Sequence, residues 1–80
     1  MRIDKFLKLS RIIKIRTLAN EACEAGRVKI NGKVAKPSSE VKPGDILEIG
    51  FGNKLTKVEV LSIAEHVTKA GAAELIRIIE

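Results

Sequence analysis

The sequence predicts an α+β fold, in which two N-terminal helices pack on a small curled antiparallel sheet and a short C-terminal helix follows. Apolar residues recur at helical spacing in two stretches, at Ile3, Phe6 and Leu7 and again from Leu18 to Ala25. From Val28 the period changes to two, and the pair Asn31-Gly32 is a strong signal for a hairpin turn. Because 80 residues suffice for one small core, we expect a single domain over residues 1–80.

The first helix is expected to begin almost at the N-terminus. Ile3, Phe6 and Leu7 follow helical spacing. Asp4 falls in the first turn, where the helix dipole favours a negative charge, so we interpret it as a structural residue.

A second helix is expected from Thr17 to Ala25. The hydroxyl of Thr17 is of the type that caps a helix N-terminus. Leu18 to Ala25 are mostly small or apolar at helical spacing, and Gly26 supplies the left-handed residue that commonly follows a helix end.

The strands follow the hairpin signal. Val28 to Val34 read as two short strands around the Asn31-Gly32 turn. A turn at Pro43-Gly44-Asp45 leads into a strand through Ile49, and Gly52-Asn53 turns the chain into a longer strand that returns from Leu55.

The C-terminal residues are ambiguous between helix and strand. Ala72, Ala73, Leu75, Ile76 and Ile79 have the spacing of a short helix, which we predict. The segment 75–79 is also β-branched enough to form a strand.

Charge is concentrated in the first half of the chain. Residues 1–36 carry ten bases and three acids, a net charge of +7, whereas residues 37–80 carry five bases and seven acids. The bases of the first half form one group between the two helices and another at the hairpin, so we expect a basic surface that binds the phosphates of a nucleic acid. These are Arg11, Lys14 and Arg16, and then Arg27, Lys29, Lys33 and Lys36.

Several function classes are disfavoured by composition. Cys23 is the only cysteine and His66 the only histidine, so we expect no enzyme, no metal site and no cofactor. With no apolar run long enough for a membrane span, we expect a cytoplasmic protein. Two Phe and no Trp or Tyr disfavour a stacking platform for single strands.

A DNA-binding architectural protein is one alternative, since two helices and a turn could form a DNA-reading motif. The second helix carries Glu21 and Glu24 and no base between Leu18 and Ala25, which disfavours a major-groove position. The RNA-targeting subunit of an RNA-modifying enzyme is another alternative, and the residues leave it open.

Three stretches resemble the S4-type RNA-binding domain, also called the alpha-L motif. They are Arg16-Thr17-Leu18-Ala19, Gly26 to Gly32, and Val41 to Asp45, and the opening Arg2 to Leu7 fits as well. The resemblance places a core motif at residues 2–50. It is greatest to stand-alone bacterial members, namely the heat-shock protein 15 family and the RqcP family of ribosome-associated quality-control factors.

The resemblance implies a non-enzymatic RNA-binding module that is a monomer off the ribosome. Its implied partners are 23S rRNA and peptidyl-tRNA on the large (50S) subunit, with an RqcH-type protein that adds C-terminal alanine tails, and no membrane. The implied RNA contacts are Arg2, Lys5, Arg11, Lys14, Arg16, Thr17, Lys29, Asn31 and Lys36.

Overall fold

The computed structural model describes residues 1–63 and 75–79, which form two helices and a five-stranded antiparallel sheet. The elements are α1 (Ile3–Leu9), α2 (Arg16–Glu24), β1 (Val28–Ile30), β2 (Lys33–Val34), β3 (Ile46–Phe51), β4 (Lys54–Val60) and β5 (Ile76–Ile78). The strands lie in the order β2-β1-β3-β4-β5. The predicted α+β class, with two N-terminal helices and an antiparallel sheet, is confirmed.

One face of the sheet packs against the helices. Val28, Leu47 and Val58 lie on this face and are fully buried. Phe6 and Leu7 of α1 join the same apolar core, as their helical spacing predicts. No helix in the described part of the chain is long and apolar enough to cross a bilayer.

The opposite face of the sheet carries a ladder of alternating charge. Lys29 on β1 lies directly across from Glu48 on β3, and Glu48 lies across from Lys57 on β4. The Lys57 ammonium is 3.7 Å from the Glu48 carboxylate. Opposite charges at paired positions stabilise a sheet modestly, so this face largely neutralises its own charge.

The β1–β2 hairpin turns where the sequence predicts it. Asn31 and Gly32 have φ of 50° and 85°, the pair of positive values that a type I′ turn requires. The Asn31 amide then ties the turn to β3, because it donates to Asp45 (3.1 Å) and accepts from the backbone N–H of Ile46 (2.9 Å).

Two local predictions were wrong. Helix α2 begins at Arg16 with Ile15 as its N-cap, so Thr17 lies inside the first turn, too late to cap it. At the C-terminus, the predicted short helix is replaced by strand β5 (Ile76–Ile78), which pairs with β4, while Ala72 and Ala73 lie outside the described residues. Pairing with β4 and burial of Leu75 at 2% exposure outweigh the helical spacing.

Candidate nucleic-acid interface

A buried carboxylate organises the basic side chains at the start of the two helices. Asp4 is only 2% exposed. Its Oδ2 lies 3.2 Å from Nη2 of Arg2, and its Oδ1 lies 3.6 Å from Nη2 of Arg16. Oδ1 also accepts a hydrogen bond from the backbone N–H of Lys5 at 2.7 Å. Asn20 of α2 lines the same groove as Asp4. Asp4 is therefore structural, as predicted, and it also joins α1 to α2 at the candidate interface.

Asp4 is held in its ionised form. Burial by itself raises the pKa of this carboxyl group, but the hydrogen bond from the Lys5 backbone, the polar side chain of Asn20 and the positive charges of Arg16 and Arg2 outweigh that effect and lower its pKa below the ordinary value. At neutral pH the negative charge of Asp4 attracts both guanidinium groups and restrains their positions.

The two arginines present their outer sides to solvent. The side chains of Arg2 and Arg16 are 49% and 47% exposed, respectively. A guanidinium has five N–H donors in a planar fork, so contact with Asp4 leaves donors for an external anion. Two preorganised guanidinium groups suit neighbouring phosphates, because little side-chain freedom is lost on binding.

A groove of about 530 Å³ continues this basic region between α2 and the segment after β2; we call it the α2–β2 groove. It is lined by Arg2, Asn20, Glu24, Val34, Lys36 and Pro37, among others. The two sides are held together by the N-terminus, because the backbone N–H of Ile3 donates to the carbonyl of Ser39 (2.8 Å). Arg2 and Lys36 therefore line the same groove although they are distant in sequence.

A second, smaller groove of about 460 Å³ contains Asp4, Arg16 and Thr17. Asn20 lines both grooves. The structure thus places four of the predicted contacts, Arg2, Arg16, Thr17 and Lys36, in two grooves that share lining residues of α2.

The other predicted contacts lie outside these grooves, or their side chains form hydrogen bonds within the protein. Asn31 uses its amide within the hairpin, and Lys29 lies on the charged outer face of the sheet across from Glu48. Arg11 has a φ of 62° and lines a separate pocket with Phe51. Lys14 is exposed in the connection between the helices, and Lys5 is half-buried on α1.

Asn20 is the residue that the sequence reasoning missed. It lies one helical turn after Arg16, and residues four apart share a helix face. That spacing was the signal that could have placed it beside Arg16.

Cys23 lines the α2–β2 groove but is almost fully buried. Burial, with smaller effects from Asp4 and Glu24, raises the pKa of its thiol to about 11. The thiol is therefore protonated at neutral pH and acts as a small packed side chain, not as a nucleophile.

The model of the S4 domain family matches residues 1–47, which is more than half of the 80-residue chain. The chain belongs to the S4 domain family. It is 56% identical to the RQC P-site tRNA stabilizing factor of Halalkalibacterium halodurans, over 94% of this chain and 85% of the relative. Its identity to the protein of that name from Bacillus subtilis is 51%, over 100% of this chain and 93% of the relative.

Two solved structures have the same fold as this chain. Heat shock protein 15 of Vibrio cholerae superposes with a TM-score of 0.88 at 32% identity, over 98% of this chain and 80% of the relative. The solution structure of HP1423 gives a TM-score of 0.84 at 34% identity, over 100% and 98% of the two chains. Within the S4 domain family the chain therefore groups with the RQC P-site tRNA stabilizing factors, which are RNA-binding proteins and not enzymes.

Proposed function

We propose that this protein binds the P-site tRNA and adjacent 23S rRNA on a large ribosomal subunit obstructed by peptidyl-tRNA. In this role it supports ribosome-associated quality control, in which an RqcH-type partner adds C-terminal alanine tails. The relatives named for stabilizing P-site tRNA support the choice of tRNA.

The observation that carries the proposal is the pair of half-exposed guanidinium groups fixed over the buried Asp4 carboxylate. Arg2 and Arg16 are held close to one carboxylate, so they can engage phosphates of one RNA segment. Lys36 extends the row of cations along the α2–β2 groove.

Two other parts of the described surface are less suited to a polyanion. On the outer face of the sheet, Lys29 and Lys57 flank Glu48, so their charges are partly neutralised. Glu21 and Glu24 on α2 would face phosphates if this helix entered a DNA major groove. Docking through the Asp4 region avoids the charged outer face of the sheet and leaves α2 outside a groove of the nucleic acid, although Glu21 and Glu24 also line the grooves of this region.

Co-sedimentation with purified 50S subunits tests the proposal directly. The subunits either carry peptidyl-tRNA or are empty, and we expect the protein to pellet preferentially with the tRNA-bearing particles. The double variant Arg2→Ala/Arg16→Ala should lose this association. The matched control Lys42→Ala/Lys54→Ala removes the same two charges at exposed positions outside the site and should retain it.

Equal pelleting with both kinds of subunit would show that the tRNA does not contribute to binding. If the Lys42→Ala/Lys54→Ala control lost as much subunit binding as the arginine variant, binding would depend only on the net charge of the protein. Competition of a labelled rRNA hairpin against duplex DNA at fixed salt distinguishes RNA binding from the DNA-binding alternative, which predicts displacement by the duplex.

A further inference from the structure

The α2–β2 groove contains more than phosphate-binding groups. Its volume of about 530 Å³ lies within the range of about 300–1,000 Å³ typical of small-ligand sites. Arg2 and Lys36 supply cations, while Val34, 61% exposed, and Pro37 supply apolar surface. Cations beside an apolar wall match a nucleotide, which has a charged phosphate and a flat base.

Glu24 is unfavourably placed for a protein that only binds phosphates. It is the last residue of α2, where the helix dipole disfavours a negative charge and the final turn holds no base to offset it. It is exposed, and it forms no ion pair within the described residues. In the groove it shares with Arg2 and Lys36 it would repel an approaching phosphate.

A carboxylate in this position is suited to a base edge. An ionised carboxylate has two acceptor oxygens and no donor, so it pairs with neighbouring N–H groups. Guanine presents an imino and an amino N–H side by side on its Watson–Crick edge, whereas uracil presents one imino N–H between two carbonyl oxygens. The carboxylate therefore gains two hydrogen bonds from guanine, and from uracil at most one, beside repelling oxygens.

We propose that the α2–β2 groove holds one unstacked nucleotide of the bound RNA and that Glu24 selects guanine over uracil at that position. Arg2 and Lys36 contact the flanking phosphates, and the base lies against Val34 and Pro37. This inference rests on the proposed RNA-binding function and adds base selection to it.

The test uses RNA hairpins that differ only in one bulged nucleotide, guanine or uracil, with dissociation constants measured by fluorescence anisotropy at fixed salt. For the wild-type protein we expect the guanine hairpin to bind about fivefold more tightly or better. Glu24→Met keeps the side-chain length but removes the acceptors, so the preference should disappear.

Two further variants separate base selection from charge. Glu21→Met, one turn earlier on α2, removes the same charge and should retain the preference. Lys36→Ala should weaken binding of both hairpins by the same factor, since a phosphate contact does not distinguish bases. Thermal melts of each variant confirm that it is folded.

The possible failures are distinguishable. A wild-type protein that binds both hairpins equally, or a preference that survives Glu24→Met, would overturn the base-selection inference, and RNA binding that still depends on Arg16 would leave the proposed function standing. Absence of any Arg16-dependent binding to either hairpin would overturn both.

Discussion

The guanidinium of Arg16, at the start of α2, lies 3.6 Å from the carboxylate of Asp4, in the first turn of α1. The carboxylate is buried and the guanidinium is half-exposed, so the contact joins the packed interior of the domain to its candidate RNA surface. A variant at Arg16 therefore tests RNA binding, and a variant at Asp4 tests the stability of the fold.

Arg16→Ala should weaken RNA binding while leaving the fold intact. Asp4 keeps its contacts with Arg2, the Lys5 backbone and Asn20, so little stability is lost, whereas loss of a charge-assisted phosphate contact costs about 1–3 kcal/mol. Affinity and thermal melting are measured together. Lys57→Ala, which breaks the Lys57–Glu48 ion pair, is the control with unchanged affinity. A lower melting temperature with intact affinity of the folded protein would show that Arg16 is only structural.

Asp4→Asn should destabilise the fold at neutral pH by about 1–3 kcal/mol, because a buried charge-assisted network loses its acceptor charge. The pKa of Asp4 is lower in the folded than in the unfolded protein, so the ionised form stabilises the fold. That stabilisation is complete above the unfolded value of about 3.9 and is lost as the pH falls through the folded pKa. Urea unfolding from pH 7 to 2.5 should show the gap between wild type and variant closing in acid. A constant gap would contradict this.

RNA binding should depend strongly on salt. If about four to six phosphates are neutralised, log affinity should fall against log salt with a slope of about −3 to −5. The Arg2→Ala/Arg16→Ala variant should make that slope shallower by about 1–2, as expected for the loss of two phosphate contacts. An unchanged slope in the variant would place the phosphates elsewhere on the protein.

Gly32→Ala should destabilise the protein by about 1 kcal/mol through backbone conformation alone. A Cβ at Gly32 would meet no atom within 4 Å, but its φ of 85° is strained for an L-residue. Gly50→Ala is the matched control, because its φ is not in the left-handed region and its Cβ would make an ordinary contact, 3.7 Å from the Arg27 carbonyl. Equal melting temperatures for the two variants would contradict the turn assignment.

Lys29→Glu should lower stability by about 0.2–1 kcal/mol, because it places two acids opposite each other at the Lys29–Glu48 pair. The swap Lys29→Glu/Glu48→Lys should restore the melting temperature, and 50S co-sedimentation of the swapped protein then tests Lys29 as an RNA contact. Failure of the swap to restore stability would show that the cross-strand pair is not the cause.

The sequence by itself determined the elements whose signals are local. Helical spacing predicted α1, and Gly26, which has a positive φ, marked the chain reversal just after the end of α2. The Asn31-Gly32 pair gave the hairpin, and the charge asymmetry with the S4-type motifs gave an RNA-binding class. Such features depend on neighbouring residues, so they can be recognised without knowing the fold.

Only the tertiary structure decided how distant residues combine. It chose strand over helix for Ile76–Ile78, because pairing with β4 supplies the backbone hydrogen bonds and buries Leu75. It placed Lys29 opposite Glu48, brought Arg2 and Arg16 to the same Asp4 carboxylate, and put Lys36 in one groove with Arg2. Strand register and helix packing determine which charges become neighbours, and these long-range contacts form only with the core. The nine implied RNA contacts therefore have different surroundings in the folded protein, which the sequence alone does not reveal.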